Sequence, residues 1–303
     1  MEKRIDYIDI AKGIGILCVV LGHVNLWDKL DMLIHGFHMP LFFFVSGYLF
    51  KVTDTRYFIL KKIKTLLWPY LLFYLLNLVL SPYVEGMPIG GGTWFLLALF
   101  YAEVIYYIVI YLAKKEIYID IICFCITILG LALSLIIPNR TLLYVESGLV
   151  AIAFIRFGNL YRNKIKELNF NIGKAGIMII LYVVLSVING NVNMKEGIYS
   201  NWIIFILDAL IGIYVVFYIS QQIDISKSKA ISLVSDYLTR IGKNSIVYFL
   251  FNQTIIFIFM NLFSEFGLNK HIIKIIVFII SVVTLFLLDL FMNKTKIIKI
   301  LGR

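Results

Sequence analysis

Apolar runs as long as a bilayer is thick recur along this chain, and they leave few folds open to it. An α-helix rises 1.5 Å per residue, so about 20 apolar residues cross a hydrocarbon core of about 30 Å. Ten such runs can be marked, over residues 8–26, 35–51, 64–83, 93–113, 117–137, 143–162, 172–190, 202–220, 241–263 and 271–292. The second is short and begins with polar groups. Inside a bilayer no water satisfies backbone N–H and C=O groups, so each run must close its hydrogen bonds within itself, as a helix. The expected fold is therefore all-α: a multi-pass membrane protein of about ten spans, in a single transmembrane domain over residues 1–303. Only 15% of the residues are charged and 61% are hydrophobic, which leaves no soluble domain of useful size. Residues 221–240 form the longest polar connection, and their spacing suits a short helix lying at the membrane surface.

The net charge of +10 invites a nucleic-acid reading, but the placement of the cations excludes it. Lysine and arginine gather in short loops between alternate spans, as in Lys51, Arg56, Lys61, Lys62 and Lys64, or Lys227, Lys229, Arg240 and Lys243. The opposite loops hold only Lys29, Arg140, Lys195, Lys270 and Lys274. Cytoplasmic loops carry such an excess, so both termini are expected in the cytoplasm, with an even number of spans. Trp27, Trp94 and Trp202 fall near outer boundaries and Trp68 near an inner one, as an aromatic belt would place them. Cys18, Cys123 and Cys125 lie inside apolar runs without metal-ligand spacing and read as packing. The first run contains Lys12 and lacks a cleavage-like site, so it reads as a retained helix. Gly86 to Gly92 makes a flexible outer loop leading into Thr93 and Trp94. No internal repeat is visible, whereas many transporters are built from two related halves.

Ionisable groups within spans are costly and mark function by default. Lys12 and His23 are eleven positions apart, close to three helical turns, so they share a face roughly 16 Å apart along the axis. A cation at one end and an imidazole at the other suit a long anionic ligand threaded along the helix, its phosphates at Lys12 and its reactive end at His23. Gly13, Gly15 and Gly22 would let that ligand, or a neighbouring helix, come close. The plainer reading has Lys12 snorkelling to the interface and His23 closing the outer end. His35 and His38 open the second span on one face, at about the depth of His23, with Pro40 fixing the start of that helix. Three histidines suggest zinc, but no thiolate or carboxylate joins them at ligand spacing, so no metal is assigned. Ser46 and Gly47 read as a close helix contact.

Of the acidic groups in the spans (Asp9, Glu103, Glu146, Asp208 and Asp289), Glu146 lies nearest the outer face. It either orients an imidazole by accepting its second N–H or stands solvated at the mouth of its span. Arg156 lies deeper, where an arginine wants a phosphate or a carboxylate, and Asp208 and Asp289 are candidate partners. Asn252 and Gln253 interrupt the ninth span, where amides either bond across helices or line a polar wall.

At these residues the chain resembles the acyltransferase-3 family of bacterial membrane acyltransferases, and its short, fucose 4-O-acetylase-like members in particular. The matching stretches are RIDYIDIAKGIGILCVVLGH (4–23), FHMPLFFFVSG (37–47), KKIKTLLWPY (61–70), TWFLLALF (93–100), AFIRFGNLY (153–161) and IGKNSIVYF (241–249). The resemblance implies transfer of an acetyl group from acetyl-CoA, a substrate and not a resident cofactor, to a hydroxyl of a cell-envelope carbohydrate. The family's essential histidine falls on His23, as general base or transient acetyl carrier, and its paired basic residue on Lys12. That residue is usually arginine; lysine serves a phosphate as a point charge without the bidentate fork. Arg156 is a second candidate for the CoA phosphates, and His35, His38 and Glu146 complete the candidate catalytic group. Asn252 stands where relatives often have a histidine, which would take that helix out of proton transfer. The expected partners are acetyl-CoA, the carbohydrate acceptor and the lipid bilayer, in a bacterial plasma membrane. A transporter or flippase for a lipid-linked sugar, or a non-catalytic partner of polysaccharide assembly, are the competing classes.

Overall fold

The computed structural model describes residues 6–87, 91–137, 143–164, 172–226 and 228–302. Arg140 and Lys227 fall outside them. The described chain is a helical bundle: α1 (Asp6–Val24), α2 (Asp28–Tyr48), α3 (Thr55–Lys62), α4 (Trp68–Leu80), α5 (Trp94–Leu112), α6 (Glu116–Ile136), α7 (Val145–Lys164), α8 (Ile172–Asn189), α9 (Trp202–Ile225), α10 (Lys229–Lys243), α11 (Ser245–Ser264) and α12 (Lys270–Lys294). A π-helical turn at Ile63–Leu67 joins α3 to α4 into one long helix. The sole strands among the described residues are two short ones, β1 (Val192–Asn193) and β2 (Ile198–Tyr199), paired antiparallel between α8 and α9. Asparagine and aspartate set several starts: Asp54, Asn201 and Asn269 each accept a backbone N–H of the first turn of α3, α9 and α12.

Nine helices among the described residues are long and apolar enough to cross a membrane. The tenth expected span is α7, too polar to count with them because it carries Glu146, Arg156 and Arg162. It packs instead inside the bundle, against α2, α5 and α6. The outer faces are apolar, as in Ile177, Ile180, Val184 and Val187 of α8 or Ile279, Val283 and Leu287 of α12. Polar groups such as Asp208, Ser186, Asp289 and Asn252 are buried. This inversion of the soluble pattern is what a lipid solvent selects.

Two expectations need correcting. α2 begins at Asp28, so His35 and His38 lie inside it and Pro40 is a buried interior residue, not its first turn. Pro40 removes the N–H that would bond the Gly36 carbonyl, a cost this helix bears in the tightly packed core. Trp94 is buried beside the histidines and takes no part in an aromatic belt. The polar connection does form a helix, α10, and it packs against α1. A Cβ on Gly242 would run into the Asp9 carbonyl oxygen, and one on Gly13 into that of Leu238, so both contacts require glycine. The α2–α7 crossing is made the same way: a Cβ on Gly47 would strike the Ile155 carbonyl, and one on Gly158 that of Phe44. These two crossings fix α1 and α2, the helices that carry the candidate site.

Candidate functional site

Helices α1, α2, α5 and α11 each present one stripe of side chains to the bundle interior, and two cavities lie in line along those stripes. On α1 the stripe is Lys12, Ile16, Val19 and His23, at helical spacing. The first cavity, about 290 Å³, is mostly apolar and holds Lys12, Ser46 and Ser245 among Ile16, Phe42, Leu66, Phe95 and Leu301. The second, about 200 Å³, holds His23, His35 and His38 with Gly92, Trp94, Asn193, Lys195, Glu196 and Gln253. The shared face expected for Lys12 and His23 is present. The two groups line two adjoining cavities, and Phe249 lines both.

Each imidazole is held through one nitrogen. His23 Nδ1 hydrogen-bonds Asn252 Oδ1. The orientation of that amide is set by its other end, which donates to the carbonyls of Tyr248 at 2.9 Å and Phe249 at 2.7 Å. Because Oδ1 can only accept, His23 must carry its proton on Nδ1, leaving Nε2 as an acceptor. The same logic fixes His38, whose Nδ1 lies 2.7 Å from the Ile34 carbonyl. His35 Nδ1 lies 2.9 Å from the Asp31 carbonyl and 3.3 Å from Asp31 Oδ1, and its ring packs edge-on against His38 with centroids 4.9 Å apart. His35, Asp31 and Lys195 all act electrostatically on His23. Among the described residues no group of three or more His, Cys, Asp or Glu is placed to hold a metal ion.

The cavity wall includes groups the sequence reading missed. Lys195 and Glu196 reach it from a 3-10 turn at Met194–Glu196, between the two short strands. Ser147 of α7 ties that turn down by donating to the Met194 carbonyl at 2.6 Å. Gln253 Oε1 is buried there and has no hydrogen-bond partner among the described residues. A buried acceptor left unpaired costs about 1–3 kcal/mol. It is the kind of atom a ligand hydroxyl would satisfy.

The remaining predicted residues lie elsewhere. Glu146 is not at His23: Asn252 occupies that position, and Glu146 sits at the start of α7 facing Tyr199, whose hydroxyl is pushed up by burial and by this carboxylate. Arg156 is not in the Lys12 cavity. Its guanidinium pairs with Asp120 at 2.6 Å and Glu116 at 2.5 Å, one turn apart on α6, and lies far from a phosphate role. Asp208 and Asp289, the expected alternatives, bond Ser186 and Arg240 instead. Lys12 pairs with Asp9 at 2.8 Å. Ser46 does more than pack: it donates to Glu103 at 2.5 Å, and Lys62 holds the other oxygen of that buried carboxylate at 2.6 Å. The end of the chain floors the same cavity, with Leu301 buried in it and Trp68 Nε1 donating to the Ile300 carbonyl at 2.9 Å.

A sequence model of the acyltransferase-3 family, described as an acyltransferase domain, matches residues 5–290. No curated protein and no solved structure matches the chain.

Proposed function

The chain belongs to the acyltransferase-3 family, and from that premise we propose that this multi-pass membrane acyltransferase is an O-acetyltransferase of the bacterial plasma membrane. It would move an acetyl group from acetyl-CoA to a hydroxyl of a cell-envelope carbohydrate. The observation that carries this reading is the His23–Asn252 bond: it commits an imidazole, in a polar chamber, to the tautomer that accepts a proton. A neutral imidazole with Nε2 open as an acceptor suits a general base.

The chemistry follows from that placement. The acceptor hydroxyl donates to His23 Nε2, while a second hydroxyl of the same sugar satisfies Gln253 Oε1. As His23 takes the proton, the hydroxyl oxygen attacks the thioester carbonyl carbon. The new C–O bond forms, the C–S bond breaks, and the proton passes from His23 to the departing thiolate. A transient acetyl-imidazole on His23 is the relay variant of the same transfer. Lys12, in the apolar chamber, supplies a cation for a phosphate of the donor, and Ser46, already donating to Glu103, offers its lone pairs to a donor N–H. With Arg156 neutralised by two carboxylates, Lys12 carries the donor role alone of the two cations expected to share it. A transporter of a lipid-linked sugar would want one continuous polar path, and the mostly apolar lining of the Lys12 cavity speaks for transfer of a small group instead.

The test uses purified protein, labelled acetyl-CoA and envelope polysaccharide as acceptor. Wild-type protein releases CoA and labels the polysaccharide, and His23→Ala does neither while purifying as a folded protein. Label transfer by His23→Ala at the wild-type rate would remove His23 from the reaction.

A further inference from the structure

We infer that the Phe249 ring selects the length of the acyl group that is transferred. This rests on reading the Lys12 chamber as the donor side and the His23 chamber as the acceptor side. Along α11, Ser245 and Ile246 line the first chamber, Gln253 lines the second, and Phe249 lines both. These positions form one stripe of the helix, so Phe249 stands at the junction between the chambers. Its side chain is buried, and its ring packs against Phe95 with centroids 5.1 Å apart. Phe95 in turn meets Phe42 of the Lys12 chamber at 5.9 Å and Trp94 of the histidine chamber at 6.2 Å. The wall of the two cavities therefore includes a connected set of aromatic rings, with Phe249 the member that lines both.

A thioester anchored at Lys12 reaches His23 only by bringing its carbonyl carbon up to this wall. An acetyl group then needs room for one methyl beyond the carbonyl. Each further methylene must go either into the space the Phe249 ring fills or into the acceptor chamber. That chamber is small, and beside Val19, Met39, Trp94 and Met194 it carries three imidazoles, Asn193, Lys195, Glu196 and Gln253, groups that suit the hydroxyls of an acceptor. The transfer step itself is unchanged by chain length: C–O forms, C–S breaks, and the hydroxyl proton ends on the CoA thiol. Selection comes from the space beside the carbonyl.

The experiment measures CoA release, with envelope polysaccharide as acceptor, from acetyl-, butyryl- and hexanoyl-CoA. It compares wild type, Phe249→Ala, Phe249→Leu and Phe249→Trp, each first shown to be folded by gel filtration. One methylene in a fitted pocket is worth tenfold or more in rate. Wild type should use acetyl-CoA and discriminate against the longer donors. Phe249→Ala should raise the butyryl-to-acetyl ratio by about tenfold or more, with Phe249→Leu intermediate. Phe249→Trp should lower acetyl transfer. The same chain-length profile in wild type, Phe249→Ala and Phe249→Leu, with acetyl-CoA consumed by all three, would overturn the inference and leave the donor assignment standing. Folded Phe249→Ala and Phe249→Leu inert toward all three donors would overturn it as well. No CoA released by wild type from any donor would instead sink the donor assignment, and the inference with it.

Discussion

Replacing Asn252 by leucine separates the tautomer argument from mere packing. Asn252 is fully buried, and leucine has nearly its shape. Three hydrogen bonds are lost, but the two to the Tyr248 and Phe249 carbonyls leave no orphan, because both carbonyls keep their N–H partners within α11. The third is the bond to His23 Nδ1. A hydrogen bond of this kind is worth about 1–1.5 kcal/mol net, and 1.4 kcal/mol is a factor of ten in rate. Without it the imidazole can place its proton on Nε2, where it cannot act as a base, and the ring loses its aim. The expected result is a kcat about tenfold lower with donor and acceptor KM within about twofold of wild type. Asn252→Asp keeps an acceptor at Nδ1 and should recover most of kcat. The assay is transfer of labelled acetyl to envelope polysaccharide by purified protein. Unchanged kcat in Asn252→Leu, or a loss in Asn252→Asp as large as in Asn252→Leu, would refute the assignment.

Three further outcomes follow from the geometry. Gln253→Leu removes the unpaired acceptor in the histidine chamber and should raise acceptor KM about tenfold while leaving acetyl-CoA KM unchanged, read by steady-state kinetics. Lys12→Gln keeps a polar side chain, one atom shorter, but loses the charge, so acetyl-CoA KM should rise about tenfold or more, and added salt should weaken donor binding less than in wild type. Arg156→Met leaves Glu116 and Asp120 without their cation and should lower the thermal midpoint in detergent, while the protein that stays folded keeps its donor KM. An increased donor KM in Arg156→Met would return that residue to the binding site.

The helices were legible because a lipid solvent allows little else: length and hydropathy gave nine of them directly. The tenth, α7, was marked with them as an apolar run but packs in the protein interior, where its Arg156 meets carboxylates instead of lipid. Its Arg156 was mispaired because Glu116 and Asp120 sit at the opening turn of α6. Their spacing of four, which puts both on one face, was the available signal. Asn252 shows the other limit. Its amide in an apolar run announced a contact across helices, yet a partner 229 positions away cannot be read from spacing. Its replacement of a familiar histidine pointed away from proton transfer, whereas the structure puts it on the ring. The docking of α10 on α1 was written in Gly13 and Gly242, but two small residues on separate helices name no mate. Pro40 misled for a plain reason: a proline after a polar stretch reads as a beginning, and only the packing of the core shows that α2 runs straight through it.

The meeting of two cavities at Phe249 has a consequence for the cell under the proposed transfer. With the donor at Lys12 and the acceptor at His23, only a two-carbon fragment would have to change sides. Neither the nucleotide nor the sugar would then need a pore, and chemistry could be delivered outward while the electrical insulation of the membrane stays intact.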